Sequence, residues 1–407
     1  MLLEFSVCNF LSFKEMITFS LEAGSITELK DNVTKEGKYK VLRSAVIYGA
    51  NSSGKSNFIK ALDFMVTTIK NSSKINSTDK LNVSPFLLNV ETENQPSFFE
   101  ILFVINNGYD CKRYRYGFEI DNDKVHSEWL YILNEKSKKE DVYFVRNNDG
   151  IGVADIFEEA KGLESKTRDN GLFISLADQF NSKTANAVMI KLSRTNILSG
   201  IEHETSINAT NVLYSDDKHK SGIEDFIEKL DLGFNKFLVD DDTSKTFRNR
   251  VKTLHSKFDA KGKVVSNVEF KMNEQESSGT NKIFDLSGYI VFTLKYGLTL
   301  VVDELDAKLH PILTQSIITL FNNPETNTKN AQLIFTTHDT NLLGANLFRR
   351  DQIWFTEKNN FEATDMYSLL EFKDEDGNTI RKDRSFEKDY IRGRYGAIPY
   401  ISNFQEI

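Results

Sequence analysis

Apolar residues change their spacing repeatedly along the chain, and each change predicts a different element. Residues 1–22 alternate unevenly, LLEFSVCNF and then MITFSLE, which predicts two strands joined through Ser12-Phe13-Lys14. A polar stretch from Ala23 to Lys40 follows. The run Val41 to Tyr48 is mostly apolar and stops at Gly49, the pattern of a buried parallel strand. Ile59, Leu62, Val66 and Ile69 then fall at helical spacing, so a helix starts near Lys55. Between Ser97 and Leu133 the segments FFEILFVI, YRYGFEI and WLYIL alternate and are bounded by Asn-Gly and Asn-Asp, as in a β meander. Their aromatic residues read as sheet core rather than base-stacking platforms.

From about residue 140 to 250 the chain turns polar and rich in Asn and Lys, with helical fragments such as DIFEEA and GIEDFIEKL. This reads as an inserted, mainly helical subdomain. The α/β pattern then resumes: TLVVDE predicts a strand, PILTQSIITLF a helix, AQLIFTTH a strand and QIWF another. The expected layout is an N-terminal lobe over 1–135, an insert over 136–250 and a C-terminal lobe over 251–407.

Composition narrows the class. At 407 residues, 40% hydrophobic and 27% charged, the chain resembles ordinary globular proteins and excludes wholesale disorder. It lacks an apolar run of membrane-spanning length, and the start MLLEFSVCNF carries Glu4 and no basic region, unlike a signal peptide. Cys8 and Cys111 cannot build a disulfide framework or a zinc site, and their scarcity points to the cytoplasm. The net charge of −8 argues against a uniformly basic nucleic-acid binder while leaving room for a local basic strip, as at Lys136 to Lys139.

Four segments carry chemistry. Gly49-Ala50-Asn51-Ser52-Ser53-Gly54-Lys55-Ser56 fits G-x-x-x-x-G-K-[ST], with the required strand before it and helix after it. Its glycines let successive N–H groups face phosphate oxygens, and the helix start adds a favourable dipole. Lys55 would neutralise the β- and γ-phosphates, and the Ser56 hydroxyl would ligate Mg²⁺. Leu298 to Glu304 (LTLVVDE) is a buried strand ending in two acids, at the edge where parallel sheets bind ligands. Asp303 there suits Mg²⁺, and Glu304 suits general-base duty toward water. A second strand, AQLIFTT, stops at His338, within reach of a γ-phosphate. Glu276-Ser277-Ser278-Gly279-Thr280 precedes a helix and could hold an anion. Alone, that pattern equally describes an ordinary capped helix start.

In this order, the four segments resemble the ABC-type ATPases of the SMC/RecF/OLD group. The opening "NF-x-SF" turn, YGANSSGKSN, ESSGT, VVDELDAKLHP and TTHDTNLL each match a motif of that group. The resemblance tightens toward the AbiLi/RloA-like ATPases of phage-defence loci through LFISLADQFN, RRDQIWFTEK and YIRGRYGAIPYI. It implies a P-loop ABC-type ATPase head, with a mixed sheet, flanking helices and an antiparallel β subdomain.

The resemblance further implies ATP and Mg²⁺ sandwiched in a homodimer. Gly49 to Asn57 of one copy would hold the nucleotide, while Ser277, Ser278 and Gly279 of the other would close on the γ-phosphate. Asp303 would serve the metal with Ser56, Glu304 would be the base and His338 the switch. The His310-Pro311 turn would lie at the dimer interface. Glu276 and Ser278 depart from the leucine and first glycine of the usual signature. Gln95 is placed for a glutamine loop, although a surface strand-end residue is the preferred reading. Arg392-Gly393-Arg394-Tyr395 fits a phosphate or partner contact and equally a tail docked on the sheet. Asp374 to Gly377 reads as a charged turn.

The stretch after His338 is too short for an appended TOPRIM nuclease domain. The expectation is therefore an ATPase subunit controlling a separately encoded effector, nuclease-like and of RloB or TOPRIM type, in anti-phage defence. A phage protein or DNA would be its trigger, with no membrane involved. The alternatives are a RecF-like DNA clamp acting in repair, a non-hydrolysing scaffold and a small-molecule P-loop kinase. Glu304 and His338 speak against the scaffold, and ESSGT against the kinase.

Overall fold

The computed structural model describes residues 1–106, 108, 110–134, 136–199, 210–230, 232–240, 242, 247–373 and 377–399. Asp374-Glu375-Asp376 of the expected acidic turn and the last residues of the YIRGRYGAIPYI motif lie outside them.

At the centre is a six-stranded sheet ordered β11 (Thr195–Ser199), β15 (Thr299–Asp303), β16 (Gln332–Thr336), β5 (Ser44–Gly49), β17 (Ile353–Lys358) and β18 (Thr364–Ser368). The first five are parallel and only β18 runs antiparallel. Every residue of β5 and β16 is buried, which explains their unbroken apolar runs: a parallel strand covered on both faces has no polar side to show. Because the strands share one direction, Gly49, Asp303 and Thr336 finish on the same edge. The expected strand from Val41 to Tyr48 is in fact two, β4 (Tyr39–Leu42) and β5. Between them Arg43 is 5% exposed, donating to the carbonyls of Asp31 and Asn327, and the chain turns there.

Helix α1 (Lys55–Asn71) follows β5 and buries Phe58, Ile59, Leu62, Met65, Val66 and Ile69 on one stripe. At about 1.5–3 kcal/mol for each large apolar side chain, that stripe rather than helical propensity anchors it. A second sheet, antiparallel and seven-stranded, has the order β10 (Gly150–Val153), β9 (Glu140–Asn147), β8, β7, β6, β1 and β2. It contains β1 (Leu2–Cys8), β2 (Ile17–Ser20), β6 (Ser97–Asn106), β7 (Cys111–Ile120) and β8 (Val125–Leu133). Phe99, Phe103, Tyr116 and Phe118 are buried in it, as expected of sheet core.

Gln332 joins the two sheets: its Oε1 accepts from Leu2 N at 2.7 Å, and its Nε2 donates to Leu2 O at 2.9 Å. A two-stranded hairpin, β3 (Val33–Glu36) with β4, completes the N-terminal half.

Residues 136–250 contain more helix than strand but share their sheets with the segments on either side. They hold α2 (Phe173–Gln179), α3 (Lys183–Ser193) and α4 (Asp217–Glu228), but also β9 (Glu140–Asn147), β10 (Gly150–Val153), β11 and β12 (Lys236–Val239). β9 and β10 prolong the antiparallel sheet, and β11 is the edge of the central one. β12 pairs with β13 (Val251–Phe258), which pairs with β14 (Val264–Lys271). A boundary at 136 therefore cuts one sheet, and a boundary at 250 cuts another. These are edge or half-exposed strands, whose polar side chains conceal the alternation. Further on come α5 (Ser278–Tyr296) and α6 (Pro311–Asn322).

Candidate functional site

The turn from β5 into α1 is shaped by glycine where nothing else fits. Gly54 has φ +112°, and a Cβ there would lie 2.3 Å from Thr364 Oγ1. A Cβ on Gly49 would meet Ser53 Oγ at 2.4 Å and the Thr356 carbonyl at 2.5 Å. The loop is held from outside by two further threonine contacts and one serine. Ser53 Oγ pairs with Thr356 Oγ1 at 2.7 Å, and Thr364 Oγ1 reaches the Ser53 carbonyl at 3.0 Å and Ser12 Oγ at 2.8 Å. Asn57 Nδ2 also donates to Ser12 Oγ, at 2.8 Å. This contact gives the opening NF-x-SF turn a physical task at the phosphate loop. Asn9 of the same turn pins the loop before β6, donating to the carbonyls of Thr92 and Gln95 at 2.9 Å.

Lys55 is 5% exposed, and its Nζ donates to Gly49 O at 2.7 Å and Ala50 O at 3.0 Å. Burial lowers its pKa, opposed by Asp303, Glu304 and Asp306. The ammonium thus curls over the loop it would serve, next to the acids at the end of β15. Asn51 and Ser52 are exposed at the loop's tip.

The end of β15 is ordered by a residue the sequence reading passed over. Thr336 Oγ1 donates to Asp303 Oδ1 at 2.6 Å and accepts from Glu304 N at 2.7 Å. Glu304 itself sits at φ +55°, a left-handed conformation that costs a non-glycine residue about 1–3 kcal/mol. His338 Nε2 lies 3.9 Å from Glu304 Oε1. Burial, and after it the positive charge of Lys55, hold the His338 pKa below the ordinary histidine value. The imidazole is therefore neutral at pH 7 and can accept or share a hydrogen bond.

Two open cavities flank the loop. One, of about 460 Å³, is lined by Asn51 to Asn57, Glu304, His338 and Lys358. The other, of about 750 Å³, runs from Gly49 to Ser53 past His338 to Tyr390 and Pro399. Together they bring Gly49 to Asn57, Glu304 and His338 to one place. Lys358, which lines both, was not foreseen.

The donor set fits magnesium. Asp303 and the Ser56 hydroxyl offer hard oxygens, and no group of three or more His, Cys, Asp or Glu able to hold a metal exists among the described residues. A small divalent cation that keeps most of its water and leans on substrate phosphates needs no more than that.

Ser277, Ser278 and Gly279 line neither cavity. They start α5, where Ser277 Oγ accepts from Thr280 N at 3.1 Å, so the capped-helix reading holds geometrically. Glu276, in the place of a leucine, has a purpose of its own. Its carboxylate binds Thr253 Oγ1 and, at 2.7 Å, His255 Nε2, tying the three-stranded sheet to the start of α5. Gln95 is exposed before β6 and lines neither cavity. Tyr395 is fully buried 5.6 Å from the Phe355 ring, so the RGRY tail docks on the central sheet. His310 caps α6, with Ile312 N donating to its Nδ1 at 3.3 Å.

Among the described residues, no helix is long and apolar enough to cross a membrane. No curated protein matches the chain. Among solved structures, the chain is similar to an SMC head bound to the C-winged helix domain of ScpA. The two are 13% identical, with 90% of this chain and 97% of that one covered and a TM-score of 0.48. The SMC head domain from Thermotoga maritima is also 13% identical, over 90% and 98% of the two chains, with a TM-score of 0.43. A Pyrococcus furiosus SMC head with an extended coiled coil, bound to the C-terminal domain of ScpA, gives 13%, 90%, 96% and 0.42. By sequence, residues 44–344 match the family described as "AAA domain, putative AbiEii toxin, Type IV TA system". With the phosphate loop, both β15 acids and α5 inside that span, the chain belongs to this family of P-loop ATPases.

Proposed function

We propose that this chain hydrolyses ATP, closes as a homodimer around it, and uses that closure to control a separately encoded, nuclease-like effector in anti-phage defence. One observation carries the reading. The phosphate loop, Glu304 and His338 line two cavities at one edge of the central sheet, while Ser277 to Gly279 line neither. Each copy then needs the other's α5 start to enclose a γ-phosphate.

Gly49 to Asn57 would cradle the phosphates, and Lys55 would leave the Gly49 and Ala50 carbonyls to reach them. Ser56 and Asp303 would hold Mg²⁺, which supplies charge neutralisation at the phosphates when bound. Glu304 would take the proton of the attacking water, and neutral His338 beside it would orient the γ-phosphate. Binding energy realised only with a γ-phosphate present would join two surfaces that separate after hydrolysis.

The Glu304→Gln variant tests the core of this. Its turnover should fall roughly 10²–10⁴-fold while ATP still binds and closed dimers accumulate in sedimentation. Unchanged turnover removes Glu304 from the role of base. Effector control is tested by co-purifying the products of neighbouring reading frames with and without ATP. ATP-dependent DNA binding that falls steeply with salt would instead favour a clamp acting in repair.

A further inference from the structure

Lys282, on the second turn of α5, is 3% exposed and points away from α5 into the loop that follows β15. Its Nζ donates to three main-chain carbonyls there: Glu304 at 3.0 Å, Leu305 at 3.0 Å and Ala307 at 2.6 Å. Three donors meet three acceptors, the full capacity of an ammonium. Burial pushes its pKa down to about 8, with Asp306 and Glu304 opposing that and Lys308 adding to it. A lysine kept charged under that pressure is a costly way to hold a loop unless the loop's position matters.

What it holds is the backbone of the base. Glu304 N is fixed by Thr336 Oγ1 and Glu304 O by Lys282, so both polar groups of this left-handed residue are clamped. The same loop touches the start of α5 a second time. A Cβ on Gly279 would come 2.9 Å from the Lys308 carbonyl, so helix and loop are in van der Waals register.

We infer that Lys282 is a positioning residue that couples the two nucleotide sites of the dimer, by making the start of α5 and the base Glu304 move as one body. This rests on the proposed dimer. Ser277 and Gly279 would serve the partner's nucleotide, while Glu304 of the same chain acts on its own. Closure of α5 on one nucleotide therefore sets the geometry of the base at the other. Hydrolysis becomes cooperative in ATP, and the agent of cooperativity is one ammonium group. Because interactions through packed, bistable contacts travel only where the parts are rigidly joined, loss of this tie should uncouple the sites without emptying them.

The test uses the full chain and compares Lys282→Met, which keeps the apolar stem and removes the three donors, with Lys282→Arg. The native protein should hydrolyse ATP with a Hill coefficient approaching about 2, the limit set by two sites. In Lys282→Met the coefficient should fall to about 1 and kcat by roughly 10- to 100-fold, the scale of a misplaced base. Fluorescent-nucleotide affinity of the separate protomer should stay within about 3-fold, since the phosphate loop is untouched. Lys282→Arg, retaining charge and donors, should restore the sigmoid curve and most of the loss. If the methionine variant does not fold, Lys282→Gln replaces it, because its two donors cannot span three carbonyls. A variant lacking the donors that keeps native cooperativity and kcat overturns the inference. A native protein that never dimerises on ATP overturns the proposed function instead.

Discussion

Beyond its burial, His338 lies under two opposing charges, with Lys55 lowering its pKa and Glu304 raising it. Removing the cation in Lys55→Ala takes away the second-largest influence holding the His338 pKa down, after burial itself. The His338 midpoint, followed by NMR of the imidazole, should lie below about 6.5 in the native protein and rise in the variant. A midpoint that falls or stays put would mean that Lys55 does not face the ring. Gly54 makes a different kind of demand, for space and for a backbone angle. Gly54→Ala should cost about 1–3 kcal/mol in urea denaturation and weaken nucleotide binding. An alanine as stable as the glycine would show that the loop relaxes around Thr364.

At the scale of elements, what the sequence revealed depended on how local the signal was. The β5–loop–α1 unit, β15, β16, α5 and α6 were legible, because a fully buried strand or an amphipathic helix writes its period into consecutive residues. β9 to β12 were not. β9 is half-exposed, and β10, β11 and β12 each lie at the edge of a sheet, so polar residues break up their alternation. The side chains that finish the site were also hidden. Ser12, Thr336, Thr364 and Lys282 are ordinary residues made important by partners far along the chain, which no local pattern announces. The segments RRDQIWFTEK and LFISLADQFN also carry buried polar ties. Arg349 is 2% exposed and bound to Asp351, with Nη1 donating to the Glu28 carbonyl at 2.8 Å. The LFISLADQFN helix start donates Phe173 N and Ile174 N to the buried Glu128 carboxylate. Gln332 shows what such ties contribute. Gln332→Leu leaves Leu2 N and O without partners at the junction of two sheets, a loss of about 2–4 kcal/mol. Calorimetry showing no change would mean that the sheets are joined by apolar packing alone.

At the scale of the whole molecule, the prediction concerns sharing between copies. Lys55→Ala should not hold nucleotide, and Ser277→Arg should hold it but fail to close, so neither alone should associate on adding ATP. Mixed, they should associate. The intact phosphate loop of the second can face the intact α5 start of the first, and analytical ultracentrifugation reads the dimer directly. A mixture that stays monomeric would show that the two elements are not exchanged between copies.

The phosphate loop spans only Gly49 to Ser56, yet its scaffold is gathered from both ends of the polypeptide. Thr364 reaches Ser12 across 352 positions and Ser53 across 311, and Gln332 reaches Leu2 across 330. Contacts so distant in sequence carry a larger loop-closure cost than local ones. A chain still emerging from the ribosome therefore carries its nucleotide motif long before it can use it, and a translation product cut short ahead of β18 should be blind to ATP.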